Sequence, residues 1–141
     1  MEKEFVNYEL SLRMKALGFD EPCFSYYELD GRLSDTPKES GDDIKYQGDC
    51  KFDNHQNTYL DEDESCSAPT WQSAFRWFDY STEFSGFIVP SSEEGLFTWW
   101  IQNYIEPQLS YESKESYLTR EEAELACLEK LIEIVEQSKS E

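Results

Sequence analysis

The side chains best suited to catalysis are few. His55, in FDNHQN, is the single histidine of the chain, and the four cysteines stand at 23, 50, 66 and 127. A histidine can serve as general base or metal ligand. With no second imidazole, two- and three-histidine metal sites are excluded. No two cysteines fall within four residues of each other, so structural zinc spacing is absent as well. Cys50 or Cys66 with His55 would make a nucleophile and base only if residues 30–66 were rigid. No glycine-rich phosphate loop and no G-x-S-x-G turn occurs. These patterns favour a non-catalytic protein, with no cofactor or metal expected.

The stretch TYLDEDESC, Thr58 to Cys66, places four consecutive carboxylates, Asp61, Glu62, Asp63 and Glu64, ahead of a cysteine. With Asp61, Asp63 and Ser65 at positions 1, 3 and 5 of a calcium loop, Cys66 falls where glycine is required. Gln72 then falls where the bidentate glutamate is required. A dedicated calcium site is not expected. The carboxylates remain as solvated charge or as a docking surface for a basic protein.

Charge sets the class of partner. The chain has 141 residues, with 31 acidic against 12 basic, a net −19. Residues 28–64 hold twelve acids and four bases, a net −8, and are the most acidic portion. Such self-repulsion must be offset by packing or by a cationic partner. Phosphate contacts need a basic face, so direct nucleic-acid binding is not expected, nor is binding to an anionic membrane. MEKEFVNYEL has no basic start leading into an apolar run, and no segment approaches the ~20 apolar residues of a membrane span. A cytoplasmic protein with free thiols is expected, Cys23 and Cys127 being small core residues.

Nine Tyr, nine Phe and four Trp supply material for a core and an interface. Tandem Trp99 and Trp100 on a strand point to opposite faces. One should pack inward, leaving the other as an interface anchor. The candidate partner-binding residues are therefore Asp42, Asp43, Asp49, Asp53, Asp61, Glu62, Asp63 and Glu64, with Trp77 and Trp100.

The elements that must carry these residues follow from periodicity. Asn7 caps a helix over 8–17, in which Val6, Leu10, Met14 and Leu17 recur at helical spacing and Gly18 ends the turn. CFSYYEL, Cys23 to Leu29, reads as a strand with Ser25 and Tyr27 on one face and Tyr26 on the other. Residues 30–66 read as an acidic, loop-rich insertion, with short strands near Ile44–Tyr46 and Asn57–Leu60. Ser67 and Pro69 read as the cap and first turn of a helix whose core stripe is Trp71, Ala74, Phe75 and Phe78. Glu83–Pro90 and Leu96–Ile105 read as a hairpin closed by SSEEG, and residues near 111–117 as a further strand. Thr119 and Glu122 form a capping box for a helix over 120–137, whose broad apolar face is Ala123, Cys127, Leu131 and Ile134 with Leu125, Leu128, Ile132 and Val135. The expected fold is one α+β domain, 1–141: a small, mainly antiparallel sheet packed by about three helices. Residues 68–137 trace helix, three strands, helix, the order of double-stranded-RNA-binding domains. Arg76 is the lone base of residues 65–105, so that likeness is topological.

LGFDEPCFSYYE, QSAFRWF and EEAELACLEKLIEIVE together resemble a group of small uncharacterised proteins carried by phages and integrated mobile elements of Bacteroidetes bacteria. The likeness covers half to two-thirds of the chain and carries over no catalytic residue. It implies a phage-encoded inhibitor of a host defence nuclease, a basic nucleic-acid-handling protein engaged through the acidic surface. RNA-guided effectors of type VI-B or type II are the candidates, being basic along their guide channels. The alternative is a phage or mobile-element accessory or scaffold protein whose acidic surface only solubilises.

Overall fold

The computed structural model describes residues 4–21, 23, 25–28, 30–34, 57 and 66–139. The chain divides into two compact units, Met1–Gln72 and Ser73–Glu141. Its α+β class is as the sequence implies, but the strands divide between two three-stranded antiparallel sheets instead of joining in one. The strands near Ile44–Tyr46, and all of Asn57–Leu60 except Asn57, lie outside the described residues. Asn57 itself is in a helical turn, not a strand.

In the first unit, helix α1 (Tyr8–Leu17) begins where the Asn7 side chain accepts from the Leu10 amide at 2.9 Å. It ends at Gly18, whose φ of 107° is open to glycine and strained for other residues. The Gly18 and Phe19 amides return to the carbonyls of Lys15 and Met14, and Phe19 is buried behind the turn. Val6, Leu10, Met14 and Leu17 are buried as their spacing requires.

Three strands complete this unit: β1 (Ser25–Tyr27), β2 (Leu33–Ser34) and β3 (Cys66–Ala68), ordered β2-β1-β3. Tyr27, Cys66 and Ala68 form a small core beneath Phe5, Tyr8, Leu12 and Leu33. The Tyr27 hydroxyl donates to the Val6 carbonyl at 2.6 Å, tying β1 to the residue that leads into α1.

Ser67 does not cap a helix. It sits in the middle of β3, fully buried, opposite Tyr26 of β1. Its amide donates to the Asn57 side-chain oxygen at 2.8 Å, and the Asn57 side-chain nitrogen donates to the Phe19 carbonyl at 2.7 Å. Pro69 is not in a helical turn either; its carbonyl accepts from the Val6 amide. Strand pairing at Ser67 has overridden the local capping preference, so the helix starts at Trp71, four residues beyond Ser67.

That helix, α2 (Trp71–Ser81), leads into the second unit. Ala74 and Phe78 are fully buried, and Trp71 and Phe75 half-buried. Strands β4 (Phe84–Pro90), β5 (Phe97–Asn103) and β6 (Tyr111–Glu112) form the second sheet in that order. A bridge from Phe97 to Tyr117 extends the pairing. Gly95, at φ 80°, closes the turn between β4 and β5. Helix α3 (Arg120–Lys139) is capped by the Thr119 hydroxyl, which accepts from the Glu122 amide at 3.1 Å.

Ala123, Cys127, Leu128, Leu131, Ile132, Ile134 and Val135 of α3 are buried. Leu125, counted by spacing with the apolar face, lies off it and is exposed. The sheet meets α3 closely at Gly86. A Cβ there would stand 2.9 Å from both the Cys127 sulfur and a Leu131 methyl, and 3.0 Å from the Phe75 ring. Glycine is required at this position for approach, not for conformation. No described helix is long and apolar enough to cross a membrane.

Candidate functional site

Alternation in the second sheet decides which aromatics reach solvent. In β5, Trp99, Ile101 and Asn103 point inward and are buried, while Trp100 and Gln102 point outward. Trp99 is 8% exposed and Trp100 53%. The tandem tryptophans thus separate as the sequence implies, with Trp100 as the outward one. Registry places Phe87 of β4 on one side of Trp100 and Glu112 of β6 on the other, so the three form one row across the outer face. Phe87 and Glu112 are exposed as well.

The connection from β5 to β6 is built by Asn103. Its side-chain oxygen accepts from the amides of Ile105 and Glu106 at 2.9 and 2.8 Å. Its backbone N–H donates to the Ser110 hydroxyl at 3.1 Å. Between them Pro107–Leu109 make a single 3-10 turn. This loop and the sheet edge enclose an open groove of about 550 Å³, lined by Trp100, Gln102, Pro107, Ser110, Tyr111 and Glu112. Ile105 and Leu109 project from the loop into solvent. At the other end of the face, the Ser85 hydroxyl bonds the Asp79 carboxylate at 2.6 Å and meets the Tyr104 hydroxyl.

Basic side chains already cover two aromatic rings of this unit. The Arg120 guanidinium lies 5.3 Å from the Phe97 ring centre, and the Lys130 ammonium lies 5.4 Å from that of Tyr111. Lys130 also pairs with Glu133 at 2.9 Å. Among the described residues, no basic side chain lies over Trp100 or pairs with Glu112.

Asp42, Asp43, Asp49, Asp53 and Asp61 to Glu64 lie outside the described residues, as do Cys50 and His55. Trp77 is half-buried and stacks edge-on against Phe78, ring centres 5.0 Å apart; it does not line the groove. Of the two candidates among the described residues, Trp77 and Trp100, Trp100 lies there. Phe87, Tyr111, Glu112 and the loop-forming Asn103 were not singled out by the sequence reading. Alternation through FSGFIVP could have placed Phe87 opposite Gly86. Nothing in the sequence gives the registry that sets Glu112 beside Trp100.

Cys66 and Cys127 are free thiols, and Cys23 is buried as they are, its thiol donating to the Glu21 carbonyl at 3.4 Å. Burial pushes the Cys66 thiol up to about 12, opposed by Lys15 and assisted by Cys23. Burial likewise pushes Cys127 up to about 12, against a hydrogen bond with the Phe87 backbone and with a further push from Glu124. Both thiols are held protonated, the opposite of what an attacking thiolate needs. No group of three or more His, Cys, Asp or Glu side chains among the described residues is placed to hold a metal. Compared with models of known protein families, with curated proteins and with solved structures, the chain matches none.

Proposed function

We propose that this protein acts by binding, without catalysis of its own, and that it engages a basic partner protein. In line with the resemblance noted in the sequence, the partner class is a nucleic-acid-handling nuclease of host defence. An RNA-guided effector of type VI-B or type II is the candidate, and the outcome of binding is inhibition. The observation that carries the binding reading is the outward row Phe87, Trp100 and Glu112 on a chain of net −19. Exposed tryptophan is a common anchor of interfaces, and a strongly acidic chain is steered toward basic surfaces. Protonated, buried thiols support the absence of nucleophilic chemistry at Cys66 and Cys127.

The experiment is calorimetric titration of purified candidate effectors, loaded with guide, over a series of salt concentrations, with target cleavage followed in parallel. Saturable binding that weakens as salt rises, together with loss of cleavage, is the expected result. No binding to any candidate, or capture indifferent to salt, overturns the electrostatic reading. Replacing Asp61 to Glu64 by the matching amides tests the alternative, an accessory protein with a solubilising surface: unchanged binding and unchanged cleavage would favour it.

A further inference from the structure

The geometry points to the Trp100–Glu112 groove as a receptor for an arginine side chain, presented by an extended segment of the basic partner. This inference rests on the reading of the protein as a docking module for such a partner and adds where and how the contact is made. Trp100 and Glu112 are direct partners across β5 and β6. Directly opposed residues of antiparallel strands share a face, with Cβ atoms about 4.5–5.5 Å apart. An indole face and a carboxylate at that separation match a guanidinium, which stacks its plane on the ring and turns its N–H donors to the acid. Gln102 and Ser110 also line the groove, and their side-chain oxygens are of a type that can accept hydrogen bonds. Lysine fits less well, because its ammonium is a strongly hydrated point charge that cannot stack.

The unit's own chemistry sets the precedent. Arg120 and Lys130 occupy the rings of Phe97 and Tyr111. Trp100, with the strongest ring for a cation, carries none among the described residues, and neither does the neighbouring carboxylate. The flanking Phe87 and Leu109 are exposed and apolar, so the residues on either side of the arginine have surface to cover. A second copy of this chain is a poor occupant, since two molecules of net −19 repel.

The test uses the full chain, labelled with ¹⁵N, titrated with the blocked peptide Gly-Arg-Gly-Arg-Gly and with its lysine counterpart. Expected are shifts confined to residues near 87, 100–102 and 110–112, including the Trp100 indole N–H, with the arginine peptide binding more tightly. Trp100→Leu, which keeps apolar bulk and removes the ring, should weaken the arginine peptide roughly two- to five-fold, the range of an exposed cation–π contact. Glu112→Gln should weaken it to a similar extent. Both side chains are exposed, so each variant should keep the folded spectrum. Equal affinity for the two peptides with no loss in Trp100→Leu overturns the arginine receptor, as does an absence of shifts at 100–112. Salt-dependent binding of the guide-loaded effector by Trp100→Leu at undiminished affinity would then show that docking survives and that the groove was wrongly assigned.

Discussion

The two sheets of this protein are both three-stranded and antiparallel, yet they treat their surfaces in opposite ways. In the first, Cys66, Ser67 and Ala68 are all buried in succession, so both faces of β3 are covered. Asn57 serves the Ser67 amide and the Phe19 carbonyl, and the Tyr27 hydroxyl serves Val6, while the Ser67 hydroxyl is buried without a partner among the described residues. In the second sheet, β5 alternates strictly from Trp99 onward, with Trp99, Ile101 and Asn103 buried and Trp100 and Gln102 exposed. The outer face keeps a phenylalanine, a tryptophan and a glutamate in one exposed row. A strand covered on both faces, like β3, serves as structural scaffolding. One that leaves large aromatics in water retains apolar area for another molecule to cover.

Substitutions can break this comparison, and the largest effect is expected inside the second sheet. Ile101 is fully buried, and Ile101→Ala should cost about 2–5 kcal/mol, read as a lower midpoint in urea unfolding. The adjacent, exposed Trp100 provides the control. In the first unit, Asn57→Ala removes the partner of a buried amide and of the Phe19 carbonyl. A loss of about 1–3 kcal/mol is expected, and a neutral result would show that Asn57 does not hold α1 to β3. Trp100→Ser should change stability by no more than about 0.5 kcal/mol, the range of exposed sites. A large loss would mean that the outer face is packed after all, and that the two sheets do not differ.

The smallest effect concerns Glu124, whose carboxyl is raised above its ordinary 4.5 by burial first, then by Glu121, against Arg120. A raised folded-state pKa means that the folded protein holds the proton more tightly than the unfolded chain. Stability from this group is therefore present at low pH and is lost as pH rises through the folded value. Glu124→Gln should raise the melting temperature slightly at pH 7, with the gain vanishing below about pH 4.5. A gain that persisted in acid would point to a cause other than ionisation.

Several elements were legible because their causes are local. Asn7, Gly18, Thr119 and Gly95 act on backbone groups within a few residues, so α1, the start of α3 and the β4–β5 turn follow from the chain alone. Period-two alternation likewise separated Trp99 from Trp100. Ser67 shows the limit. Its hydroxyl type and position before Pro69 suit a helix cap, but pairing with Tyr26 and the Asn57 side chain, ten residues away, hold it in a strand. Leu125 shows another, since its spacing matched the apolar row of α3 while the packed face ends short of it.

By itself, then, the sequence determined the α+β class, the strong negative charge, the absence of metal-binding spacing among its cysteines and histidine, both ends of α1 and the start of α3. All of these depend on composition or on interactions a few residues long. Tertiary structure alone decided that the strands form two sheets, that Gly86 admits α3, and that Glu112 stands beside Trp100. Glu112 and Trp100 are twelve residues apart, and Gly86 and Cys127, like β1 and β3, are about forty apart in the chain. Such pairings are selected by the packing of whole elements, which no local pattern encodes.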